Sequence, residues 1–239
     1  MAMTAALARP LRLESGQRLP PKRHERPKLA VDTVLFAVQG GRLTCYLVQL
    51  KHGPASGKWA FPGGLVQVGE MLDHAARRQL YASTGLHKPY IEQLFTFGDP
   101  TRDPKAHVVS VAYMALISEP NAVASCSQKY EAGRWFEVSQ LPALAYDHTL
   151  MAAYARKRLK SRLEYTNIAY NLLPRNFTFA ELQDLYAAVL ERDLDRRNFR
   201  RRILAMGLLR RLGQKRRGPH RPADLYTFAR RSLHVVEML

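Results

Sequence analysis

The 239-residue sequence predicts an α+β fold in two parts: a mixed β-sheet domain with one amphipathic helix, then a smaller helical domain closed by a β-hairpin. Three observations carry this. Apolar, β-branched runs at 31–38 and 44–50 flank Gly40 and Gly41. An apolar stripe at helical spacing begins after residue 70. Two helix starts, each with its own capping residue, stand back to back at Thr178 and Asp195 and are followed by a hairpin pattern.

Taken in order, residues 1–29 have little periodicity, paired prolines at Pro20 and Pro21 and many basic side chains, so they are expected to form a flexible arm. Val31–Val38 and Thr44–Leu50 read as a hairpin. Trp59 to Gly64 leads into a loop, and a helix follows from Glu70 with Leu72, Ala75, Ala76 and Leu80 inward and Gly85 as its left-handed stop. Tyr90–Phe97 and His107–Ile117 are strands separated by a loop at 98–104, and Arg134–Val138 is a last short strand. Asp147–Leu163 turns helical and basic; Leu150, Ala153, Tyr154 and Leu159 are expected on its buried side.

Beyond a short helix at 167–173 ended by Pro174, Thr178 and Glu181 form a capping box for a helix that turns Leu182, Leu185 and Val189 inward. A turn near Arg192 to Leu194 leads to Asp195, an N-cap for Arg196–Leu204. This is helix-turn-helix spacing. Leu208 and Leu209 open a strand, residues 213–219 make a basic tip, and Leu225–Phe228 returns, which completes a winged helix. The expected organisation is an arm at 1–29, a sheet domain at 30–146, a connecting helix at 147–164 and a winged-helix domain at 165–239.

Charge divides along the same lines. Residues 29–150 carry 10 Lys or Arg against 10 acids, whereas residues 151–239 carry 20 against 8. A basic excess confined to one domain points to a polyanionic partner for that domain. No run of 18 apolar residues is present, so no membrane partner is expected, and Cys45 and Cys126 are too few for a zinc pattern. A cytoplasmic protein is the expectation.

The second capped helix can be read face by face at ~100° per residue. With Phe199 inward, Ile203 and Met206 fall beside it, while Arg197 and Arg201 point away, flanked by Asn198 and Arg200. No glutamate interrupts Arg196 to Arg211. Arginine forks match guanine O6 and N7 and asparagine matches adenine, so Arg196, Arg197, Asn198, Arg200 and Arg201 are candidate DNA contacts. Lys215, Arg216 and Arg217 are candidates for the phosphate backbone.

Residues Gly64 to Leu86 resemble a Nudix box in spacing: a glycine, five residues, Glu70, seven residues, then Arg78 and a terminal Gly85. In that family the glutamates after the arginine hold divalent metal, and here those positions are Gln79, Ala82 and Ser83. Hard cations need anionic oxygens, so neither metal ligands nor catalytic residues are expected. Glu70, Asp73 and His74, spaced to share a helix face, are expected to be a solvated first turn. The resemblance extends to the Nudix fold over residues 30–150.

Together with the strings FTFAELQDLY, LDRRNFRRRIL and RPADLYTF, the whole resembles the Nudix-related transcriptional regulators, the NrtR family. That resemblance implies a homodimeric repressor of NAD-metabolism genes that binds a double-stranded DNA operator, requires no cofactor, and senses ADP-ribose or a related nucleotide through a non-hydrolytic Nudix domain. Candidate ligand contacts are Lys51, Trp59, Phe61, Gly63, Gly64 and Arg102, with aromatic rings for a base and cations for phosphate. The alternative, an active Nudix pyrophosphohydrolase with an accessory nucleic-acid-binding domain, is opposed by the three missing glutamates.

Overall fold

The computed structural model describes residues 26–123, 128–217 and 222–236. Strands β1 (Lys28–Gln39) and β2 (Arg42–Leu50) form the expected hairpin. Gly40 and Gly41 close it with φ of 56° and 74°, the left-handed backbone that a tight turn between right-twisted strands requires. Strand β3 (Trp59–Ala60) pairs with β2, and β4 (Gly63–Leu65) pairs with β1. After helix α1 (Leu72–Thr84) come β5 (Tyr90–Phe97), at the sheet edge, and β6 (Val108–Leu116), parallel to β1. Strand β7 (Tyr130–Glu137) completes the sheet on β2.

The apolar runs of β1 and β6 are continuous because both faces of the sheet are covered. Val34, Phe36, Ala112 and Met114 join the core beneath helix α2 (His148–Tyr165), while the alternate residues Val31, Val111 and Tyr113 pack with Ala75 and Ala76 of α1. Helix α2 buries Met151, Ala152, Ala155, Leu159 and Leu163. Leu150 and Ala153, expected inward, are instead exposed. Leu150 and Leu159 lie about 180° apart on a helical wheel, so both cannot face one sheet. Glu92 of β5 fastens the helix from beneath, accepting hydrogen bonds at 2.8 Å from both Arg158 and Arg162.

The C-terminal part is a winged helix. Strand β8 (Phe177–Thr178) leads into α3 (Phe179–Leu190) through the capping box: the Glu181 N–H donates to Thr178 Oγ1 at 3.2 Å, and the Thr178 N–H donates to Glu181 Oε2 at 2.7 Å. Glu191 ends α3 with φ 54°, and Asp195 caps α4 (Arg196–Ala205) by accepting the Asn198 N–H at 2.8 Å. Strands β9 (Leu209–Arg216) and β10 (Ala223–Phe228) form the hairpin, and the sheet order is β8-β10-β9. Phe177, Leu182, Leu185, Tyr186, Phe199 and Ile203 fill the space between helices and sheet.

Three boundaries differ from the sequence expectation. Lys28 and Leu29, grouped with the arm, already pair with Val108 and Val109. Residues 213–216, expected at the hairpin tip, belong to β9, where Lys215 and Arg216 stand opposite Asp224 and Ala223. Residues 147–164 are more than a connector. One buried apolar cluster runs from the sheet through α2 into α3 and α4, so the two domains share a core. Residues 1–25 of the arm, Cys126, and Gly218 and Pro219 of the tip lie outside the described residues.

Candidate functional site

A cleft opens between β1, β4, the loop after β5 and the start of α2. Its floor is ionic. Asp32, at the start of the apolar run of β1, is buried and accepts the Ser110 hydroxyl at 2.6 Å. His148 Nε2 and Arg102 Nη2 each stand 3.7 Å from the same carboxylate. Arg102 also grips Asp147 through two bonds of 2.9 and 2.6 Å. His148 Nδ1 accepts the Phe61 N–H at 2.9 Å, so a neutral ring carries its proton on Nε2, toward Asp32. Burial raises the pKa of Asp32, yet His148, Ser110 and Arg102 together outweigh it and hold the carboxyl below its ordinary range.

Asp147 and His148 are the N-cap and first residue of α2, so the cleft floor and the end of that helix are one object. Further along the helix, burial raises Glu92, but Arg162, Tyr90 and Arg158 hold it lower than an ordinary glutamate. Carboxylates with lowered folded-state pKa stabilise the fold above the unfolded value and stop doing so as pH falls through the folded one. The thermal midpoint is therefore expected to hold steady down to about pH 5 and to fall below about pH 4. Glu92→Gln should make that acid limb shallower, and an unchanged limb in a melting series would remove Glu92 from this role.

Four ligand candidates, Phe61, Gly63, Gly64 and Arg102, line the cleft. Lys51 and Trp59 are not among the lining residues: Lys51 is exposed past the end of β2, and Trp59 packs edge-on against Phe136 at 4.8 Å. Arg102 forms the wall with its charge already matched, its side chain only 4% exposed, so a phosphate there would have to compete with Asp32 and Asp147. Sequence reasoning missed Asp32, His148, Lys129 and Tyr130, which also line the cleft. Only Asp32 left a signal, a lone acid at the head of an apolar strand. Lys129 and Tyr130 both reach the Gly63 carbonyl, the tyrosine at 3.2 Å, and no spacing announces that contact.

The box keeps its frame. Arg78 donates to both oxygens of Glu70 at 2.6 Å, which lowers the Glu70 pKa to about 2 through those bonds first and the Gln67 N–H second. Asp73 accepts the Tyr113 hydroxyl at 2.7 Å, and both Asp73 and His74 are exposed, as a solvated first turn requires. Where the family places metal-binding glutamates stands Gln79, whose amide lies against the Gly63 carbonyl and Arg78; in the amide orientation that satisfies both neighbours it donates to the carbonyl at 3.2 Å and accepts from Arg78 Nη1 at 3.0 Å. Ser83 donates its hydroxyl back to the Gln79 carbonyl at 2.8 Å, and Ala82 is exposed. No anionic oxygen is offered at any of the three positions, so the donor set does not fit the divalent cation of a Nudix hydrolase.

On α4, Phe199 and Ile203 are buried, and Arg196, Arg197, Asn198 and Arg201 are exposed. Arg201 donates to the Asn198 side chain at 3.2 Å, which pre-sets a guanidinium beside an amide on the outer face. Arg200 is engaged elsewhere: its guanidinium lies over Phe179 at 4.8 Å and bonds Tyr226 Oη at 2.8 Å, pinning α4 to β10. Arg216 is engaged too, paired with Glu181 and bonded to the Asn176 carbonyl at 3.0 Å. Both guanidinium groups nonetheless remain exposed at the surface. Among the described residues Arg196, Arg197, Arg201 and Arg217 form no salt bridge, and Lys215 only stands across from Asp224, which is itself paired with Arg211.

The geometry defines a class: a Nudix domain, its metal acids replaced, fused to a winged helix with an arginine-rich outer face. Matches to family models agree, the NUDIX domain over residues 26–157 and the NrtR DNA-binding winged helix domain over residues 169–228. The chain is 35% identical over 207 residues to the ADPR responsive transcriptional repressor NtrR of Acinetobacter baylyi, covering 85% of this chain and 82% of that protein. It superposes on Shewanella oneidensis NrtR in complex with a 27mer DNA with a TM-score of 0.74 and 35% identity, over 84% of this chain and 93% of that one. The NUDIX domain of the same Shewanella protein complexed with ADP ribose matches with a TM-score of 0.53 and 35% identity, over 59% of this chain and 94% of that one. This chain belongs to the NrtR family. None of its helices, among the described residues, is long and apolar enough to cross a membrane.

Proposed function

We propose that this protein is a transcriptional repressor of NAD-metabolism genes that binds operator DNA through α4 and the wing and is released by ADP-ribose in the Nudix cleft. The observation that carries the reading is the outer face of α4, where Arg197 and Arg201 stand exposed and unmatched on a buried Phe199 and Ile203 stripe. Recognition of base edges requires that combination of a rigidly docked helix and free donors. Localisation to the cytoplasm, where the operator is, follows from this reading.

The cleft is proposed to bind its ligand without cleaving it. The backbone at Gly63 and Gly64 and the Lys129 and Tyr130 side chains supply polar groups, and Gln79, Ala82 and Ser83 supply no metal site. Phe61 is buried behind them with its ring stacked on His148 at 5.5 Å, and so supports the cleft rather than offering a ring to stack a base. Coupling to DNA is proposed to run through α2, which begins at Asp147 and His148 in the cleft floor and ends against the winged helix. A ligand that favours one setting of α2 shifts DNA affinity by its differential affinity for the two settings, and no more. A homodimer is the proposed working form, with half-sites one helical turn, ~34 Å, apart. Phe95 and Leu150, 47% and 52% exposed beside edge strand β5, are surface that a second copy would cover.

Selection of bound duplexes from a random pool, with and without ADP-ribose, tests the reading. A single preferred sequence is expected to emerge and to be released as ADP-ribose is added, with the nucleotide recovered intact in the presence of Mg²⁺. Sustained Mg²⁺-dependent turnover would overturn the non-hydrolytic assignment, and indifference to every duplex at low salt would overturn the repressor.

A further inference from the structure

On the far side of the winged-helix hairpin, a cavity of about 480 Å³ is lined by Arg175, Arg210 and Arg231 together with Asn176, Gln214 and Thr227. Arg210, Leu212 and Gln214 occupy alternate positions of β9 and so share one strand face. Thr227 stands opposite Arg210 in the register. Arg200, by contrast, reaches Phe179 and Tyr226 from α4 on the helix side of the same sheet. The cavity is thus a separate feature from the outer face of α4.

Its charge is unbalanced. Arg211 is paired with Asp224 at 2.8 Å and Arg216 with Glu181, but Arg175, Arg210 and Arg231 have no carboxylate partner among the described residues, and no acid lines the cavity. Arg231 is fixed rather than floating: it donates to the Tyr170 carbonyl at 2.6 Å, with its guanidinium over that ring at 5.6 Å. Burial and the neighbouring Arg175 both lower its pKa, the mark of a cation held against a like charge. Guanidinium groups brought together without an acid, with neutral hydrogen-bonding groups between them, are the chemistry that binds phosphate oxygens.

We infer that this cavity is a second anion site, distinct from the Nudix cleft, that takes the phosphoryl group of a small soluble molecule on Arg175, Arg210 and Arg231. The three arginines come from the segment before β8, from β9 and from the stretch after β10, so a bound phosphate would tie three segments of the winged helix together. Duplex DNA is the other source of phosphate, but a concave pocket on the face away from α4 suits a discrete anion better than a continuous backbone.

The test is a thermal melt of the full chain in inorganic phosphate against chloride at matched ionic strength, with no DNA or ADP-ribose present. The wild-type midpoint is expected to rise by roughly 3 to 6 °C when phosphate reaches about ten times its Kd. The Arg175→Ala/Arg210→Ala variant, at exposed positions, should fold, as read by circular dichroism, and lose that rise. No rise in the wild type, or an equal rise in both proteins, would overturn the assignment. Duplex affinity of the same pair separates the sources: a change within about threefold fits a site for a small anion, whereas a uniform loss without a phosphate response assigns the arginines to DNA and overturns it. Because the melt contains neither proposed ligand, its outcome does not depend on the repressor reading.

Discussion

Replacing Arg197 and Arg201 together by alanine is expected to lower affinity for the preferred duplex by on the order of a hundredfold or more, at ~1 to 3 kcal/mol for each bidentate base contact. The fold should survive, because both side chains are exposed and the helix is held from its other face by Phe199, Ile203 and the Asp195 cap. Each single variant should also relax preference at its own base pair in a repeated selection. A uniform loss across all sequences, with a shallower dependence on salt, would assign the pair to phosphates instead. Arg200→Ala should behave differently, since its guanidinium packs on Phe179 and Tyr226: part of its effect should appear as lost stability in the absence of DNA.

The second large effect is expected in the cleft floor. Arg102→Met removes a guanidinium that is 4% exposed and leaves Asp32 and Asp147 facing each other without it. Breaking a buried ionic group by deleting one partner costs ~3 to 5 kcal/mol, most of it from the charge left behind. Chemical denaturation at pH 7 should show that loss, and the deficit should shrink in acid, because the buried Asp32 carboxyl, no longer held down by Arg102, takes up a proton more readily. A deficit under about 1 kcal/mol at pH 7 would mean that His148 and Ser110 alone suffice for Asp32. Because Arg102 ties the cleft to Asp147 at the start of α2, the same variant should weaken the response of DNA binding to ADP-ribose.

Much of this fold could be read from the chain because local chemistry and packing agree. The Gly40-Gly41 turn, the Thr178 box and the Asp195 cap are each written in two to four neighbouring residues, and each is found where expected. The face of α4 follows from 3.6-residue periodicity and one buried phenylalanine. The cleft was less legible because its groups meet across great separations in sequence: Asp32 faces Ser110 and His148, and Arg102 faces Asp147. Nothing local marks such pairs before the strands are placed. Arg200 and Arg216 carry a similar lesson, since a basic side chain reads alike in sequence whether it awaits a ligand or is spent on a neighbouring ring or carboxylate.

Gln79, whose amide lies against the Gly63 carbonyl and Arg78, bears on what a metal site in this domain would take. A lone reversion to glutamate there would forfeit the amide's contact with that carbonyl while restoring one anionic oxygen donor where a hard cation asks for several. Ala82 and Ser83 would have to change as well before any advantage was felt. On the non-hydrolytic reading proposed above, a metal site would thus require several acids to be introduced together, and no single one of them would build it.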